Sequence, residues 1–257
     1  MQFYGTPERG YTDSGLWKFL AKCYTKDEHS QQPVKPLMGD DPDYLKIVFL
    51  YMLACPKLAL PKSRQIRMSW AAVSFVSWFS RTAPYRNTLY QTKKEKDANK
   101  MVSYGKKTPA KGRLDFVEHH LPAYLQDYNI VSGSGSNTGS MTYAPLAVGP
   151  GGLAVPWYGS CVEAVPQGSD QVRGETTTLY VSDEAAFQED FKDAMTAIVP
   201  AVNGGGRYIA LSSVKKGSFF NQLVLEGIDD YHEIRNNIHP AVKRGLDLMG
   251  MEWPKGM

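Results

Sequence analysis

The sequence contains the stretch Leu179-Tyr180-Val181-Ser182-Asp183-Glu184, an apolar run that ends in two adjacent carboxylates. The run predicts a buried strand, which would place Asp183 at the carboxyl edge of an open α/β sheet, where ligands bind. There Asp183 can hold Mg²⁺ through water, and Glu184 can polarise a water molecule that attacks a γ-phosphate. This is the arrangement of a Walker B strand, although two acids also suit the start of a helix, which the helix dipole favours.

A second string has the length and position of a phosphate-binding loop between a strand and a helix. It is Lys62-Ser63-Arg64-Gln65-Ile66-Arg67-Met68-Ser69. In the common pattern G-x-x-x-x-G-K-[ST], glycines let backbone N–H groups close around phosphates, the lysine neutralises them and the hydroxyl holds Mg²⁺. Only Ser69 matches, because Lys62 and Arg67 stand at the glycine positions and Met68 at the lysine position. Taken alone, the string also suits an ordinary basic loop.

The hydrophobic pattern alternates between strands and helices along most of the chain. It predicts helices at 44–55, 69–80, 94–104, 113–126, 184–199 and 218–226. It predicts strands at 57–61, 87–92, 178–181 and 207–211, and a hairpin from 153–155 and 160–165. A Gly/Ser-rich surface loop is predicted at 132–140. This order favours an α/β fold with a mostly parallel sheet flanked by helices.

Composition supports a globular protein with one large domain. The chain has 257 residues, of which 42% are hydrophobic and 12% aromatic, enough for a substantial core. Three units are predicted: an N-terminal lead-in at 1–42, a core at 43–227 and a C-terminal lid-like helical segment at 228–257. No apolar run reaches the roughly 18 residues of a membrane span, and the first residues lack a secretory signal pattern. The three cysteines are far apart, so we expect a reducing, cytoplasmic setting and no membrane.

Positive charge is concentrated in one segment. From Arg86 to Arg113 there are nine basic residues and two acids, a local balance of +7 in a chain whose net charge is +3. The segment is compatible with a solvated helix and loop. It also suits a surface that contacts the phosphate backbone of DNA without reading its sequence.

Two further elements are candidates for contact with a γ-phosphate. Arg173 and Gly174 lie ten and nine positions before Asp183, and an arginine on such a loop can reach a neighbouring subunit's nucleotide and stabilise transition-state charge. Ser212 and Ser213 follow the predicted strand 207–211, where small hydroxyl residues could sense the γ-phosphate. Each element alone also fits an ordinary surface residue or strand end.

Together, these strings resemble the ATPase domain of large terminase subunits, the packaging motors of tailed bacteriophages. That family shows a phosphate loop of the form K-x-R-Q-x-G-x-S with a displaced lysine, which Lys62, Arg64, Gln65 and Ser69 match. The resemblance spans roughly residues 57–223. It continues through the stretches Glu163-Ala164-Val165-Pro166-Gln167-Gly168, Arg173-Gly174, Ser182-Asp183-Glu184-Ala185-Ala186-Phe187 and Ser212-Ser213.

The resemblance implies a P-loop NTPase fold of the ASCE type and ATP with Mg²⁺ at the site. Lys62 and Arg64 would bind the β- and γ-phosphates, Ser69 and Asp183 would hold Mg²⁺, and Glu184 would activate water. Arg64, Arg173 and Glu184 would be the catalytic residues, with Arg173 acting in trans. The nucleotide would contact Lys62, Ser63, Arg64, Gln65, Ile66, Arg67, Met68, Ser69, Ser212 and Ser213, and the last two would couple hydrolysis to movement.

The resemblance also implies partners. These are double-stranded DNA, a homo-oligomeric ring, the portal protein and the small terminase subunit, in the host cytoplasm. One departure is Arg67, which stands where the family has a glycine. Glycine permits a positive φ, whereas a residue with a side chain in that conformation costs about 1–3 kcal/mol of strain. The other is length, because about 30 residues follow Gly227, too few for the family's nuclease. A nucleotide- or DNA-binding module with little turnover and a helicase-like DNA translocase remain alternatives.

Overall fold

A computed structural model defines most of the chain. The described residues are 6–26, 34–39, 43–63, 66–103, 112–126, 128–132, 139–145, 159–170, 176–227 and 239–252. The strands are β1 (Tyr24–Lys26), β2 (Val34–Pro36), β3 (Lys57–Pro61), β4 (Asn87–Thr92), β5 (Tyr128–Ser132), β6 (Ser140–Pro145), β7 (Ser160–Pro166), β8 (Leu179–Asp183) and β9 (Arg207–Ser212). The helices are α1 (Leu16–Leu20), α2 (Asp43–Ala54), α3 (Met68–Thr82), α4 (Glu95–Val102), α5 (Arg113–His120), α6 (Phe191–Asn203), α7 (Phe219–Gln222) and α8 (Pro240–Leu248).

Seven of the strands form the central sheet, in the order β3-β9-β8-β4-β7-β6-β5. The first five are parallel, and β6 and β5 add an antiparallel edge. β1 and β2 form a separate antiparallel pair. The predicted α/β class with a mostly parallel, helix-flanked sheet is therefore confirmed. β9 is inserted between β3 and β8, so the strand before the predicted phosphate loop does not pair with the strand that ends in the two carboxylates.

Helices cover both faces of the parallel strands, which explains their continuous apolar runs. On β3, Leu58 and Leu60 face a core cluster that includes α2 and α3 residues, whereas Ala59 faces a second cluster that includes α6 and α7 residues. Tyr180 of β8 and Tyr208 of β9 stack in the second cluster, with ring centroids 5.3 Å apart. Burial on both faces thus holds in place the sheet whose carboxyl edge carries the candidate site.

The two ends of the described chain pack together. Leu16 and Leu20 of α1 are fully buried in the same cluster as α2 and α3 residues. Helix α8 lies against α2 and the turn Pro7–Arg9. The contact is so close that a Cβ added at Gly245 would lie 2.5 Å from the carbonyl oxygen of Gly10. The boundaries proposed at 42 and 227 remain predictions.

Some predicted elements are wrong in extent or pairing. The hairpin from 153–155 and 160–165 is wrong, because β7 already pairs with β4 on one edge and β6 on the other; residues 153–155 lie outside the described residues. The helix predicted over 113–126 ends at His120, where Leu121 is extended before Pro122, as expected for a residue that precedes proline. The helix predicted over 184–199 is replaced by a 3₁₀ turn at Ala185–Phe187 and then α6.

The antiparallel edge was not predicted. β5 and β6 flank the predicted Gly/Ser-rich loop, of which residues 133–138 lie outside the described residues. In the described part of the chain, no helix has the length and hydropathy needed to cross a bilayer.

Candidate functional site

Three of the predicted site residues converge at the carboxyl edge of the sheet. The ammonium of Lys62, directly after β3, lies 3.1 Å from Ser69 Oγ in the first turn of α3 and 2.9 Å from Asp183 Oδ1 at the end of β8. The parallel strands make this possible, because their carboxyl ends meet at one edge although β9 separates β3 from β8. The chain thus brings together a cation, a hydroxyl and a carboxylate from segments 121 residues apart.

Asp183 is a buried carboxylate whose two oxygens both accept hydrogen bonds. Its side chain is 1% exposed. Oδ1 accepts from the Glu184 N–H at 2.9 Å and from Lys62, and Oδ2 accepts from the Tyr90 hydroxyl at 3.2 Å. Burial of a charge is tolerated when it is paired and hydrogen-bonded in this way. The position of Asp183 is therefore fixed from three sides.

Tyr90 is a site residue that the sequence did not reveal. It lies on β4, next to β8, and is fully buried. Burial, and then the neighbouring Asp183 carboxylate, raise the pKa of Tyr90 well above its ordinary value, so the phenol remains a hydrogen-bond donor. The only signal in the sequence is a hydroxyl at a position predicted to be buried in a strand.

Glu184 follows Asp183 in an unusual backbone conformation. Its φ of 56° and ψ of 36° are left-handed, and its side chain is exposed. Gln188, also missed in the sequence, fixes the preceding strand end: its Nε2 donates to Ser182 Oγ at 3.0 Å and to the Asp183 carbonyl at 2.9 Å. Non-glycine residues at positive φ are uncommon and concentrate at functional sites.

Ser212 connects the two halves of the site. Its carbonyl accepts a hydrogen bond from the Lys62 N–H at 2.8 Å, and its hydroxyl accepts one from the Ala186 N–H at 3.0 Å. The same hydroxyl donates to the Ser213 carbonyl at 2.9 Å. Ser212 is fully buried, and Ser213 is partly exposed. The end of β9 is thus bonded both to the start of the candidate phosphate loop and to the turn after the two carboxylates.

Arg67 has the backbone conformation expected of the glycine that it replaces in the resemblance. Its φ is 56° and its ψ is 13° at the N-cap of α3, and its carbonyl accepts from the Ala71 N–H at 2.9 Å. The Tyr44 hydroxyl holds the preceding residue by donating to the Ile66 carbonyl at 3.1 Å. The guanidinium extends towards Gly39, since a Cβ added there would lie 3.8 Å from Arg67 Nη1. The loop therefore keeps a left-handed residue without a glycine.

The other loop residues differ in what they can offer a ligand. The side chain of Met68 is buried in the core and that of Ile66 packs partly against it, so only their backbone groups can face a phosphate. Ser63 is exposed. Arg64 and Gln65 lie outside the described residues, as does Arg173, and their roles remain predictions.

The loop after β7, which leads towards residue 173, is anchored near the same edge of the sheet. The buried Gln91 side chain donates to the Pro166 carbonyl at 2.9 Å and to the Gly168 carbonyl at 3.3 Å, and it accepts from the Tyr180 hydroxyl. Gln167 Oε1 accepts from the Glu189 N–H at 3.2 Å. These bonds join the loop to β4, β8 and the segment after Glu184.

The basic segment is only partly available to a ligand. Arg86 is buried, with its guanidinium on the Phe79 ring at 4.0 Å and bonded to the Phe79 carbonyl, so the prediction of a phosphate-contacting surface is wrong at this position. Arg113 lies over the Trp70 ring, 5.3 Å from its centroid. Lys94 and Lys96 are exposed. Lys106, Lys107 and Lys111 lie outside the described residues.

Comparison with known proteins identifies the fold. No protein-family model matches the sequence, and no curated protein sequence matches it. Two structures of the large terminase ATPase domain of Thermus phage P74-26, one of them a mutant, are 17% and 18% identical to this chain with TM-scores of 0.57 and 0.56. In both comparisons 80% of each chain is covered.

The large terminase of bacteriophage HK97 is 12% identical, with a TM-score of 0.55. That comparison covers 87% of this chain, which spans 41% of the HK97 protein. The chain therefore shares the fold of these phage large terminase structures, and the resemblance noted in the sequence is confirmed at the level of the fold.

Replacing Arg67 with glycine tests whether this position is strained. Relief of the left-handed conformation is worth about 1–3 kcal/mol, and the greater freedom of glycine in the unfolded chain offsets about 0.5–1 kcal/mol. We expect Arg67→Gly to raise the free energy of unfolding by about 1 kcal/mol in urea titrations. Arg67→Ala is the control, since it removes the guanidinium but keeps Cβ. Equal stability of the two variants would contradict the strain.

Proposed function

We propose that this chain is the ATP-hydrolysing motor domain of a viral large terminase, which couples hydrolysis to the movement of double-stranded DNA into a procapsid in the host cytoplasm. The observation that carries the proposal is the convergence of Lys62, Ser69 and Asp183 at the carboxyl edge of the sheet. A P-loop NTPase binds nucleotide phosphates at this edge. The fold shared with phage large terminase ATPase domains supports the packaging role.

The loop 62–69 binds the phosphates of ATP. Lys62 and Arg64 neutralise the β- and γ-phosphates, and backbone N–H groups of the loop and of the first turn of α3 complete the cradle. The lysine is the first residue of the loop instead of following its second glycine position, yet its ammonium still reaches Ser69 at the other end. The ammonium of the displaced Lys62 therefore lies next to Ser69, beside which the common pattern also places its lysine.

Ser69 and Asp183 are the residues that would hold Mg²⁺. Their oxygens both bond to one ammonium, so the two residues would be placed to hold a cation together. A hydroxyl and a carboxylate are oxygen donors of the kind that Mg²⁺ prefers, with water and substrate phosphates as its remaining ligands. When bound, Mg²⁺ neutralises charge on the phosphates.

Glu184 is the general base, and the end of β9 links it to the phosphate loop. The exposed carboxylate of Glu184 orients the attacking water and accepts a proton from it. Ser212 bonds to both Lys62 and the turn after Glu184. Movement of the phosphate loop on hydrolysis is therefore transmitted through Ser212 to the turn that follows Glu184. This supports a coupling role for Ser212 and Ser213.

Substituting Glu184 with glutamine tests the hydrolytic role. The amide cannot accept the proton, so we expect Mg²⁺-dependent ATP turnover to fall by about 10²–10⁴-fold. ATP binding, measured with a fluorescent analogue, should be retained. Asp190→Asn changes an exposed acid six residues later and should leave turnover unchanged. Hydrolysis by Glu184→Gln at the wild-type rate would sink this assignment.

Arg173 is proposed to act in trans within a homo-oligomeric ring, by completing the site of the neighbouring subunit. The anchored loop after β7 supports this role, because it leads from the site's own edge of the sheet towards residue 173. The ring would meet the portal protein and the small terminase subunit at the procapsid.

Mixing two inactive variants tests action in trans. Arg173→Ala keeps Glu184, and Glu184→Gln keeps Arg173, so mixed rings contain complete sites. We expect Arg173→Ala to lower DNA-stimulated turnover by about 10³-fold or more, the usual contribution of an arginine finger. Turnover should partly return on mixing. Unchanged turnover in Arg173→Ala rings would contradict the assignment.

The exposed lysines near the start of α4 are proposed to contact DNA phosphates. Lys94 and Lys96 are exposed, whereas Lys93 lies 3.7 Å from Glu189 and Lys100 lies 2.8 Å from Asp97. Contacts of this kind are independent of DNA sequence and weaken with salt.

Neutralising Lys94 and Lys96 together tests the DNA surface. We expect DNA-stimulated turnover to fall and the slope of log affinity against log salt to decrease by about 2, one for each phosphate contact. Lys243→Ala, an exposed lysine on α8, is the matched control. A double variant with the wild-type salt slope would exclude this surface.

The left-handed Arg67 favours one other function, a nucleotide-binding module with little turnover. Its strain and its bulk at the phosphate loop could slow the chemistry without preventing binding. Tight ATP binding by the wild-type chain with no hydrolysis at any protein concentration would support this module over the motor.

A further inference from the structure

The chain places its own cation between the two oxygens proposed to hold Mg²⁺. Lys62 Nζ donates to Ser69 Oγ at 3.1 Å and to Asp183 Oδ1 at 2.9 Å. The Lys62 side chain is 14% exposed and that of Asp183 is 1% exposed. A divalent cation held by the same two residues would therefore compete with the ammonium for them.

The remaining contacts of Asp183 hold its carboxylate in one orientation. Oδ2 accepts from the buried Tyr90 hydroxyl, and Oδ1 accepts from the Glu184 N–H as well as from Lys62. Rotating the carboxylate would break the Tyr90 bond inside the core, which is costly for a buried charge. Oδ1 is thus the oxygen that shares the Lys62 ammonium with Ser69.

We propose that Lys62 and a divalent cation exchange at this one position, so that the cation enters together with nucleotide phosphates that draw the ammonium away. The inference rests on the proposed nucleotide site and adds how the divalent cation enters it. An ammonium and a divalent cation a few ångströms apart repel each other strongly in a buried site. A lysine on a flexible four-carbon stem can move to phosphate oxygens, which carry several negative charges. Tyr90 is the positioning residue that keeps Oδ2 out of the exchange.

Titration with Mn²⁺ alone, followed by the electron paramagnetic resonance signal of the free ion, tests the exchange without nucleotide. We expect Lys62→Met, which keeps the length of the side chain but not its charge, to bind one Mn²⁺ at least about tenfold more tightly than the wild-type chain. Lys62→Ala is a second variant, in case the methionine fills the site. Lys46→Met, which removes a partly exposed lysine paired with Asp43, should bind Mn²⁺ as the wild type does.

A double variant assigns the gain to this site. Lys62→Met with Asp183→Asn should lose the added Mn²⁺ affinity, whereas a gain that persists would overturn the proposal. Wild-type affinity for Mn²⁺ alone equal to that of both Lys62 variants would also overturn it. Tyr90→Phe in the Lys62→Met background should weaken Mn²⁺ binding; a loss of stability with unchanged affinity would make Tyr90 a structural residue only.

Adding ADP separates this inference from the proposed function. ADP should raise the Mn²⁺ affinity of the wild-type chain by about tenfold or more, because its phosphates displace Lys62. Bound ADP without any such gain would overturn the exchange. A chain that binds no nucleotide would refute the proposed function, and the Mn²⁺ comparison of the Lys62 variants would still decide whether the ammonium excludes the cation.

Discussion

The contact between Lys62 and the buried Asp183 is the interaction on which the rest of the site depends. At 2.9 Å it joins the end of β3 to the end of β8 across the inserted strand β9. A carboxylate 1% exposed is stable only with compensating charge and hydrogen bonds, which Lys62, Tyr90 and the Glu184 N–H supply. The helices on both faces of the sheet hold these strand ends in place, so the packing of the core also sets the geometry of the site.

β9 connects the two halves of the candidate site. Ser212 bonds to the start of the phosphate loop and to the turn that follows Glu184. Glu184, directly before that turn, is left-handed, and so is Arg67 within the loop 62–69. The loop and the turn are both bonded to Ser212, so they are well placed to change together when phosphate contacts form or break. A motor requires such a connection between its nucleotide site and the rest of the domain.

The sequence predicted the parallel strands well because they are apolar on both faces and short, and the glycine that the resemblance places at position 67 indicated strain at Arg67. It did not predict Tyr90, Gln188 or Gln91, since their partners depend on which strands become neighbours and on which atoms then meet. The hairpin was wrong for the same reason: local pattern shows that β7 is a strand but not that β4 and β6 flank it. The burial of Arg86 is likewise set by a tertiary partner, the Phe79 ring.

The central claim, that the loop 62–69 and Asp183 form one site for nucleotide and metal, is tested most directly by an experimental structure with Mg²⁺ and a non-hydrolysable ATP analogue. The account predicts the phosphates inside the loop with Lys62 Nζ on their oxygens, and the metal held by Ser69 and Asp183. A nucleotide bound at another edge of the sheet, or phosphates outside the loop with Lys62 still bonded to Asp183, would contradict it.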